Sequence, residues 1–278
     1  MPELPEVETV RRTLSPILGA KAEKVWWSGK NLRLNKPFDL AAIKEASEGA
    51  TLESVDRIGK YLILYWKGRK QAVLVHLGMS GRLRYFEGES ERPKHTHVEW
   101  SLKDGRILRF SDPRRFGQVE TLQRGQEREH ASLTKLGPDP LTDGIDPSYF
   151  YQGCKRRGRS IKLALLDQSL VAGLGNIYVS EALWMAKIHP TRIAKTLSKT
   201  RCENLRKASL EVLDRALEHG GTSLKDFVSA EGHAGEHSHY LWVYDREGKP
   251  CPNSECPGVI RRIVQQARAT FYCPRCQR

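Results

Sequence analysis

The sequence predicts a multidomain α+β protein, in which an N-terminal antiparallel β-sandwich with a leading helix is followed by a small all-α domain and a C-terminal four-cysteine finger. Three observations predict it. Short runs rich in β-branched and aromatic residues, with Gly, Asp and Lys between them, fill the first half of the chain. Beyond a turn-rich stretch from Leu136 to Tyr149 the apolar period becomes helical. Four of the six cysteines fall within the last 28 of 278 positions.

Each element has its own signal. Pro5, Glu6, Val7 and Glu8 make a good first helical turn, because proline is pre-set for that position and carboxylates complement the amino end of the helix dipole. Val7, Val10 and Leu14 mark its apolar face, and Ser15-Pro16 and Gly19 end it. Strands are expected at Tyr61 to Trp66, Ala72 to Leu77, Gly81 to Phe86, His97 to Leu102, Ile107 to Phe110 and Gly117 to Leu122. Helices are expected at Ile161 to Asp167, Ile177 to Met185 and Lys199 to Glu218, the last stopped by Gly220-Gly221. Val259 to Val264 and Ala269 to Tyr272 read as a hairpin among the four thiols. The expected boundaries are 1–135 for the sandwich, 136–149 for a linker, 150–244 for the helical domain and 245–278 for the finger.

Composition narrows the function classes. Lys plus Arg number 46 against 33 Asp plus Glu, a formal charge of +13, which is too basic for a typical small-metabolite enzyme and points to a polyanionic partner, nucleic acid or an anionic lipid surface. With 39% hydrophobic and 28% charged residues the balance is globular. No run approaches the roughly 18 apolar residues of a membrane helix, and the opening Met-Pro-Glu-Leu-Pro-Glu is acidic where a signal peptide is basic and then apolar. A cytosolic protein without a membrane segment is expected.

Cys251 and Cys256 have four residues between them, sixteen more precede Cys273, and two separate Cys273 from Cys276. That spacing suits a tetrahedral four-thiolate zinc site, and with all four positions filled by protein the metal is expected to be structural. Disulfides or free thiols are the competing reading, and a reducing cytosol argues against disulfides. Cys154 and Cys202 stand apart and read as unpaired structural or surface thiols. The hairpin carries Arg261, Arg262, Arg268 and Arg275, a charge pattern fit for phosphate, with a merely solvated basic face as the alternative.

A second basic cluster, Lys155, Arg156, Arg157, Arg159 and Lys162, precedes a helix. Close by, Gly173-Leu174-Gly175-Asn176 lets a backbone approach a ligand, with Asn176 placed as the N-cap of the next helix and phosphate as the fitting anion. A plain packing turn gives the same pattern. His233, His237 and His239 lie in a Gly-rich stretch that lacks the carboxylate spacing of a metal site and reads as a mobile polar loop.

The N-terminus carries chemistry of its own. A small second residue permits removal of Met1, after which Pro2 presents a secondary amine that can attack an electrophilic carbon and form a Schiff base. An α-amino group titrates near 7.7 to 8.0, so a usable fraction is neutral at physiological pH. Glu3 follows at once and Glu6 lies on the first helical turn. Prolines that simply start a helix would look the same.

The run Met1 to Glu8 resembles the start of the formamidopyrimidine-DNA glycosylase family, bacterial repair enzymes that excise oxidised purines and then cut the strand. Arg57 to Leu62, His76 to Gly81, Asp112 to Gly117, Gly173 to Tyr178 and Gln266 to Cys273 resemble further motifs of that family in the same order, so the likeness spans nearly the whole chain. The resemblance implies a β-sandwich with a leading helix, a helix-two-turn-helix DNA-binding domain and a zinc finger. It implies a bacterial, cytoplasmic, nucleoid-associated monomer acting on double-stranded DNA that contains a damaged base, with one structural Zn2+ on Cys251, Cys256, Cys273 and Cys276 and no organic cofactor.

By matching position, the resemblance makes Pro2 the nucleophile, Glu3 the general acid/base, Lys60 the proton donor for β-elimination, and Arg268 the arginine of phosphate binding and δ-elimination. Glu6 supports the geometry. Met79, Arg114 and Phe116 match side chains that fill the void left by a flipped nucleotide; Arg114 also counts among the DNA contacts with His95, Arg157 and Asn176. Two departures stand out: the first cysteine pair has four intervening residues where the family usually has two, and Ser229 to Tyr240 is unlike the usual base-capping loop. The readings left open are a non-catalytic zinc-containing binder of damaged DNA and the endonuclease VIII branch of the superfamily, which prefers oxidised pyrimidines. Leu4 and the intact His76 to Gly81 and Asp112 to Gly117 motifs speak against that branch.

Overall fold

The computed structural model describes residues 1–33, 37–88, 90–223 and 227–278. Among them the chain forms two compact units, one of residues 1–134 with 219–236 and one of residues 135–218 with 237–278.

The first unit opens with helix α1 (Leu4–Thr13), where Pro5 occupies the first turn and Glu3 caps it in extended conformation. Its face of Val7, Val10 and Leu14 is fully buried in the core. Two four-stranded antiparallel sheets follow. One has the order β1 (Ala22–Trp27), β6 (Thr96–Leu102), β7 (Ile107–Ser111), β5 (Arg82–Phe86); the other has β2 (Leu52–Ile58), β3 (Tyr61–Trp66), β4 (Gln71–His76), β8 (Gln118–Gln123). Inward residues from both, among them Leu62, Leu64, Trp66, Val73, Val75, Val98, Trp100, Leu108 and Phe110, join the face of α1 in one core. Helix α2 (Leu40–Ser47), capped by Asp39 accepting the Ala42 N–H at 2.9 Å, contributes Ile43 and Ala46 to the same core.

All six expected strands of this unit form, within a residue or so at their ends. Three elements were not foreseen. β1 and β2 each contain a register shift, between Ala22 and Lys24 and between Leu52 and Ser54, which breaks the alternation that marks a strand in sequence. α2 is only 8 residues long, too short for a helical period to stand out.

The second unit is helical with a hairpin. Helix α3 (Pro147–Lys155) starts inside the stretch expected to be linker: Asp146 accepts the Tyr149 N–H at 2.7 Å and Pro147 takes the first helical position, so turn-forming residues here are a helix start. Then come α4 (Ile161–Leu165), α5 (Asn176–Met185) and α6 (Lys199–Glu218). Gly175, not Asn176, is the N-cap of α5; Asn176 is its first helical residue and sends its side chain to the hairpin. That hairpin, β9 (Arg261–Gln265) and β10 (Arg268–Tyr272), turns through Gln266 and Ala267, both at positive φ. Cys154 and Cys202 are free and buried. No described helix is long and apolar enough to cross a membrane.

The two units do not follow the expected blocks: the stretches expected as linker and as finger both fall in the second unit, and residues 219–236 fall in the first. Residues 219–236, expected within the helical domain at 150–244, group with the sandwich. Phe227 and Ala230 are buried in its core, the Ala230 carbonyl accepts the Tyr85 N–H of edge strand β5 at 3.2 Å, and the Ala230 N–H donates to Thr13 Oγ1 at 3.0 Å. Two apolar side chains in a polar sequence, and the unpaired edge of a strand, provide the driving force.

Within the second unit Glu181 of α5 is the joint between helices and finger. Its carboxylate, wholly buried, accepts the N–H groups of Trp242, Val243 and Tyr244 at 2.7, 3.0 and 2.8 Å. Burial pushes its pKa up while those three donors pull it down, and the upward push is the larger. Replacing Glu181 with Leu orphans three buried donors and should cost about 3 kcal/mol or more of stability, read as a drop in the thermal midpoint with the isosteric Glu181→Gln losing less.

Candidate active site and nucleic-acid interface

Pro2 and Glu3 are both buried, at the mouth of α1. Glu6 clamps them: its Oε2 accepts the Glu3 N–H at 2.8 Å and its Oε1 accepts the Thr222 N–H at 2.7 Å. The backbone after Pro2 is thereby tied to the root of the loop that follows α6. Gly221 is at φ +83°, and a Cβ there would come within 3.0 Å of Glu6 Oε1, so glycine is required for the approach. Because Met1 acylates the Pro2 nitrogen, a free amine exists at this position only once Met1 is gone.

Glu8, one turn along, gathers three arginines. Arg11 and Arg12 bond it from its own helix at 2.8 Å, and Arg57 Nε reaches it at 3.0 Å from the end of β2. Burial pushes its carboxyl up, but the hydrogen bonds from Arg11, Arg12 and Arg57 outweigh that and bring it down to about 2. Arg57 Nη1 then donates to the Gly59 carbonyl at 2.9 Å, with Gly59 at φ +58° in the β2–β3 turn. Lys60, the next residue, is buried. The helix that Glu3 caps is thus linked to the turn that carries Lys60 through Glu8 and Arg57, a link that the sequence does not reveal.

His76 opens the motif His76 to Gly81, and its sequence position alone assigns it no role. It pairs with Tyr61 across β3 and β4, the rings 4.6 Å apart, and its Nδ1 accepts the Gly78 N–H at 3.1 Å. Desolvation, with the charges of Lys60 and Arg33, lowers its pKa to about 4, so the ring is neutral at physiological pH. With Nδ1 occupied as an acceptor, Nε2 holds the proton and is a donor suited to an anionic oxygen. The signal that could have found it is strand register, which sets it beside the residue following Lys60.

Met79 and Phe116 stand out at 38% and 37% exposure, large apolar side chains in a unit with a well-filled core. Arg114 is exposed, its guanidinium 4.8 Å from the centre of the Phe116 ring. His95 is exposed at φ +67°, its carbonyl accepting the Asp112 N–H at 3.0 Å.

In the second unit the four thiols come together. The Sγ atoms of Cys251, Cys256, Cys273 and Cys276 all lie within 4.8 Å of one another, and the Cys251–Cys276 and Cys256–Cys273 pairs are 3.7 Å apart. A tetrahedron with bonds of about 2.3 Å has edges of about 3.8 Å, so the group could hold a metal ion as it stands. The four-residue spacer is taken up by a turn in which the Cys256 N–H donates to the Asn253 carbonyl at 2.9 Å.

Arg268 is exposed on the hairpin, and two side chains brace the peptide after it. Asn176 Nδ2 and Lys162 Nζ both donate to the Ala269 carbonyl, at 2.9 and 2.8 Å, and Lys162 also reaches Thr270 Oγ1 at 2.6 Å. Lys162 is fully buried, which corrects its reading as part of a phosphate-facing cluster: its charge is met by hairpin acceptors inside the unit. Arg157 is held by the Gly153 carbonyl at 2.8 Å and Ser169 Oγ at 2.9 Å, while Arg159 pairs with Asp167 at 2.7 Å.

Comparison with known proteins identifies the family. The family model described as the formamidopyrimidine-DNA glycosylase N-terminal domain matches residues 1–119, and that described as the family's H2TH domain matches residues 136–228. The chain belongs to the formamidopyrimidine-DNA glycosylase family. It is 43% identical to the formamidopyrimidine-DNA glycosylase of Azorhizobium caulinodans and 44% identical to that of Thiobacillus denitrificans, in each case over 100% of both chains. Its fold is similar to the crystal structure of the MutM (Fpg) protein from Thermus thermophilus, with a TM-score of 0.87 at 39% identity over 99% of this chain and 98% of that one. A Lactococcus lactis Fpg variant crystallised with a Fapy-dG containing DNA gives a TM-score of 0.90 at 35% identity over 100% of both. As a DNA glycosylase of this family, the chain has its buried N-terminal proline and glutamate, Glu6 and Lys60 in the sandwich unit, and Asn176, Arg268 and the thiols in the helical one.

Two of these groups contribute to the acid limb of stability. The unfolded chain binds a proton at His76 below about pH 6.5 where the folded ring does not until about 4, so stability falls across that interval; Glu8 adds a further loss as pH drops from about 4.5 toward 2. Thermal unfolding followed from neutral to acid pH should show both stages, and a His76→Gln variant should lose part of the upper one, to which His97 and His189 also contribute, and none of the lower.

Proposed function

We propose that the chain removes oxidised purines, formamidopyrimidines and 8-oxoguanine, from double-stranded DNA and then nicks the abasic strand by β,δ-elimination. The observation that carries this reading is the buried Pro2-Glu3 pair held by Glu6 in a member of the glycosylase family. Support comes also from solved relatives: the Lactococcus lactis Fpg complexes contain Fapy-dG or abasic-site DNA.

A base inside a duplex is out of reach, so the nucleotide is flipped out at a cost of a few kcal/mol for unstacking. Met79, Arg114 and Phe116 fill the space it leaves, with Arg114 bonding the orphaned cytosine. The Pro2 amine attacks C1′, the glycosidic bond breaks, and the base departs with a proton that Glu3 helps to deliver. Loss of the amine proton and opening of the sugar leave an iminium joining Pro2 to C1′. An iminium acidifies the C2′ proton, so its removal expels the 3′ phosphate, and a second elimination releases the 5′ phosphate. Lyase activity is therefore a consequence of using an amine in place of water. Lys60 serves as proton donor in the first elimination, and Arg268, with His95, Arg157 and Asn176, holds the DNA backbone.

The metal on the four thiols is zinc, one ion per chain, with a structural role. Cys251, Cys256, Cys273 and Cys276 would hold it, leaving no position open for water, and it would stiffen the hairpin that presents Arg268. Titration of the thiols with a mercurial should release one equivalent of zinc, measured with a metallochromic dye, and metal-free protein should lose DNA binding while the sandwich unit keeps its thermal transition.

Borohydride trapping on a duplex with one 8-oxoguanine opposite cytosine tests the chemistry. A covalent adduct mapped by mass to Pro2 is expected, and it should vanish in a Pro2→Gly variant and fall by about 10²-fold or more in Glu3→Gln. Zinc-replete protein lacking Met1 that binds the duplex yet forms no adduct would sink the nucleophile assignment and leave a non-catalytic binder of damaged DNA.

A further inference from the structure

The turns that bear Met79 and Arg114–Phe116 are not independent loops. The turn 77–81 closes through the Gly81 N–H on the Leu77 carbonyl at 2.8 Å. It lies backbone to backbone against the turn 112–117: a Cβ on Gly78, which sits at φ +63°, would be 2.5 Å from the Gly117 nitrogen and 2.6 Å from the Phe116 carbonyl carbon. A Cβ on Gly117 would in turn be 2.9 Å from the His76 carbonyl oxygen. Two glycines are what allow the turns to meet without side chains between them.

Across that seam Ser80 Oγ donates to Asp112 Oδ1 at 2.6 Å. Both residues are buried, Asp112 completely. The same carboxylate organises its own turn, Oδ1 accepting the Arg114 N–H at 3.2 Å and Oδ2 the Gly117 N–H at 2.7 Å. The turn is anchored from below as well, where His97 Nε2 meets the Asp112 carbonyl at 3.0 Å. One buried carboxylate therefore fixes the backbone on either side of Phe116 and, through Ser80, the residue next to Met79.

We propose that Ser80 and Asp112 are positioning residues that fuse the two turns into one rigid wedge, so that the side chain filling the vacated space and the side chain reading the opposite base act as a unit. Discrimination of the base opposite the lesion then depends on Ser80 and Asp112, neither of which reaches the surface. The inference rests on the assignment of Met79, Arg114 and Phe116 as void-filling residues. Its physical content is cooperative: displacement of Met79 shifts Ser80, which moves the carboxylate that orients Arg114.

Ser80→Ala cuts the seam with little risk to the fold, because Asp112 keeps the Arg114 and Gly117 N–H groups and the 77–81 turn keeps its backbone bond. The experiment is a double-mutant cycle of Met79→Ala and Arg114→Ala, run in the natural and the Ser80→Ala backgrounds. The readout is the dissociation constant for a duplex carrying one tetrahydrofuran abasic analogue opposite cytosine or adenine. With Ser80 present, the loss in the double variant should depart from the product of the single losses by about threefold or more. In the Ser80→Ala background the losses should multiply, the preference for cytosine over adenine should shrink, and Ser80→Thr should restore both. Losses that multiply with Ser80 present, or coupling undiminished in both Ser80→Ala and Asp112→Asn, would overturn the proposal. Should neither Met79→Ala nor Arg114→Ala weaken binding in any background, the void-filling assignment itself fails, an outcome recognisable because no single loss exists to be coupled.

Discussion

A carboxylate taken out of water has to be met by donors, and each of four carboxylates in this chain takes at least one of them from a segment far away in sequence. Glu6 takes the N–H groups of Glu3 and Thr222, Glu8 takes Arg57, Asp112 takes Ser80, and Glu181 takes three successive N–H groups of residues 242–244. Each pairing converts the cost of burying a charge into a fixed joint between two pieces of chain. Without these joints the hydrophobic core would still hold the sheets together, but nothing in a core of Leu, Val and Trp side chains dictates where a turn outside it must sit.

The chemistry of the family explains why joints of this kind matter here. In the proposed reaction an amine nucleophile, a proton donor and a wedge act on one nucleotide, and a displacement of an ångström at any of them is costly in rate. Placing Pro2 and Glu3 at a helix start, with Glu6 bonded behind them and Arg57 running from Glu8 to the carbonyl before Lys60, puts the groups proposed to react on rigid backbone. The same logic applies in the helical unit, where Asn176 and Lys162 grip the Ala269 carbonyl immediately after Arg268. An exposed arginine on a gripped hairpin presents its charge at a defined place, which a free surface arginine cannot do.

Much of this was legible before the structure, for local reasons. Strands β3 to β8 declared themselves as runs rich in β-branched and aromatic residues between turn residues, and α6 because its apolar stripe runs for 20 residues between clear stops. β1 and β2 did not, since a bulge in each shifts the inward residues out of phase. Asp146-Pro147 looked like a turn and is a helix start, a case where the same two residues serve either purpose and only the following contacts choose. The four thiols were readable from spacing because metal ligands impose short, regular intervals on the chain.

The sequence alone therefore determined α1, the strands from β3 to β8, the helices from α4 to α6, the basic character and the thiol set, and its motifs named the residues proposed to react. Tertiary structure decided what those residues touch. It turned Lys162 from an apparent phosphate ligand into a buried brace, moved residues 219–236 onto the sandwich through Phe227 and Ala230, and revealed His76 as a neutral donor beside Lys60. The physical reason is that burial, hydrogen-bond partners and pKa are properties of pairs of distant residues. A charge run or a lone histidine looks the same in sequence whether it ends in solvent or against a carbonyl many residues away.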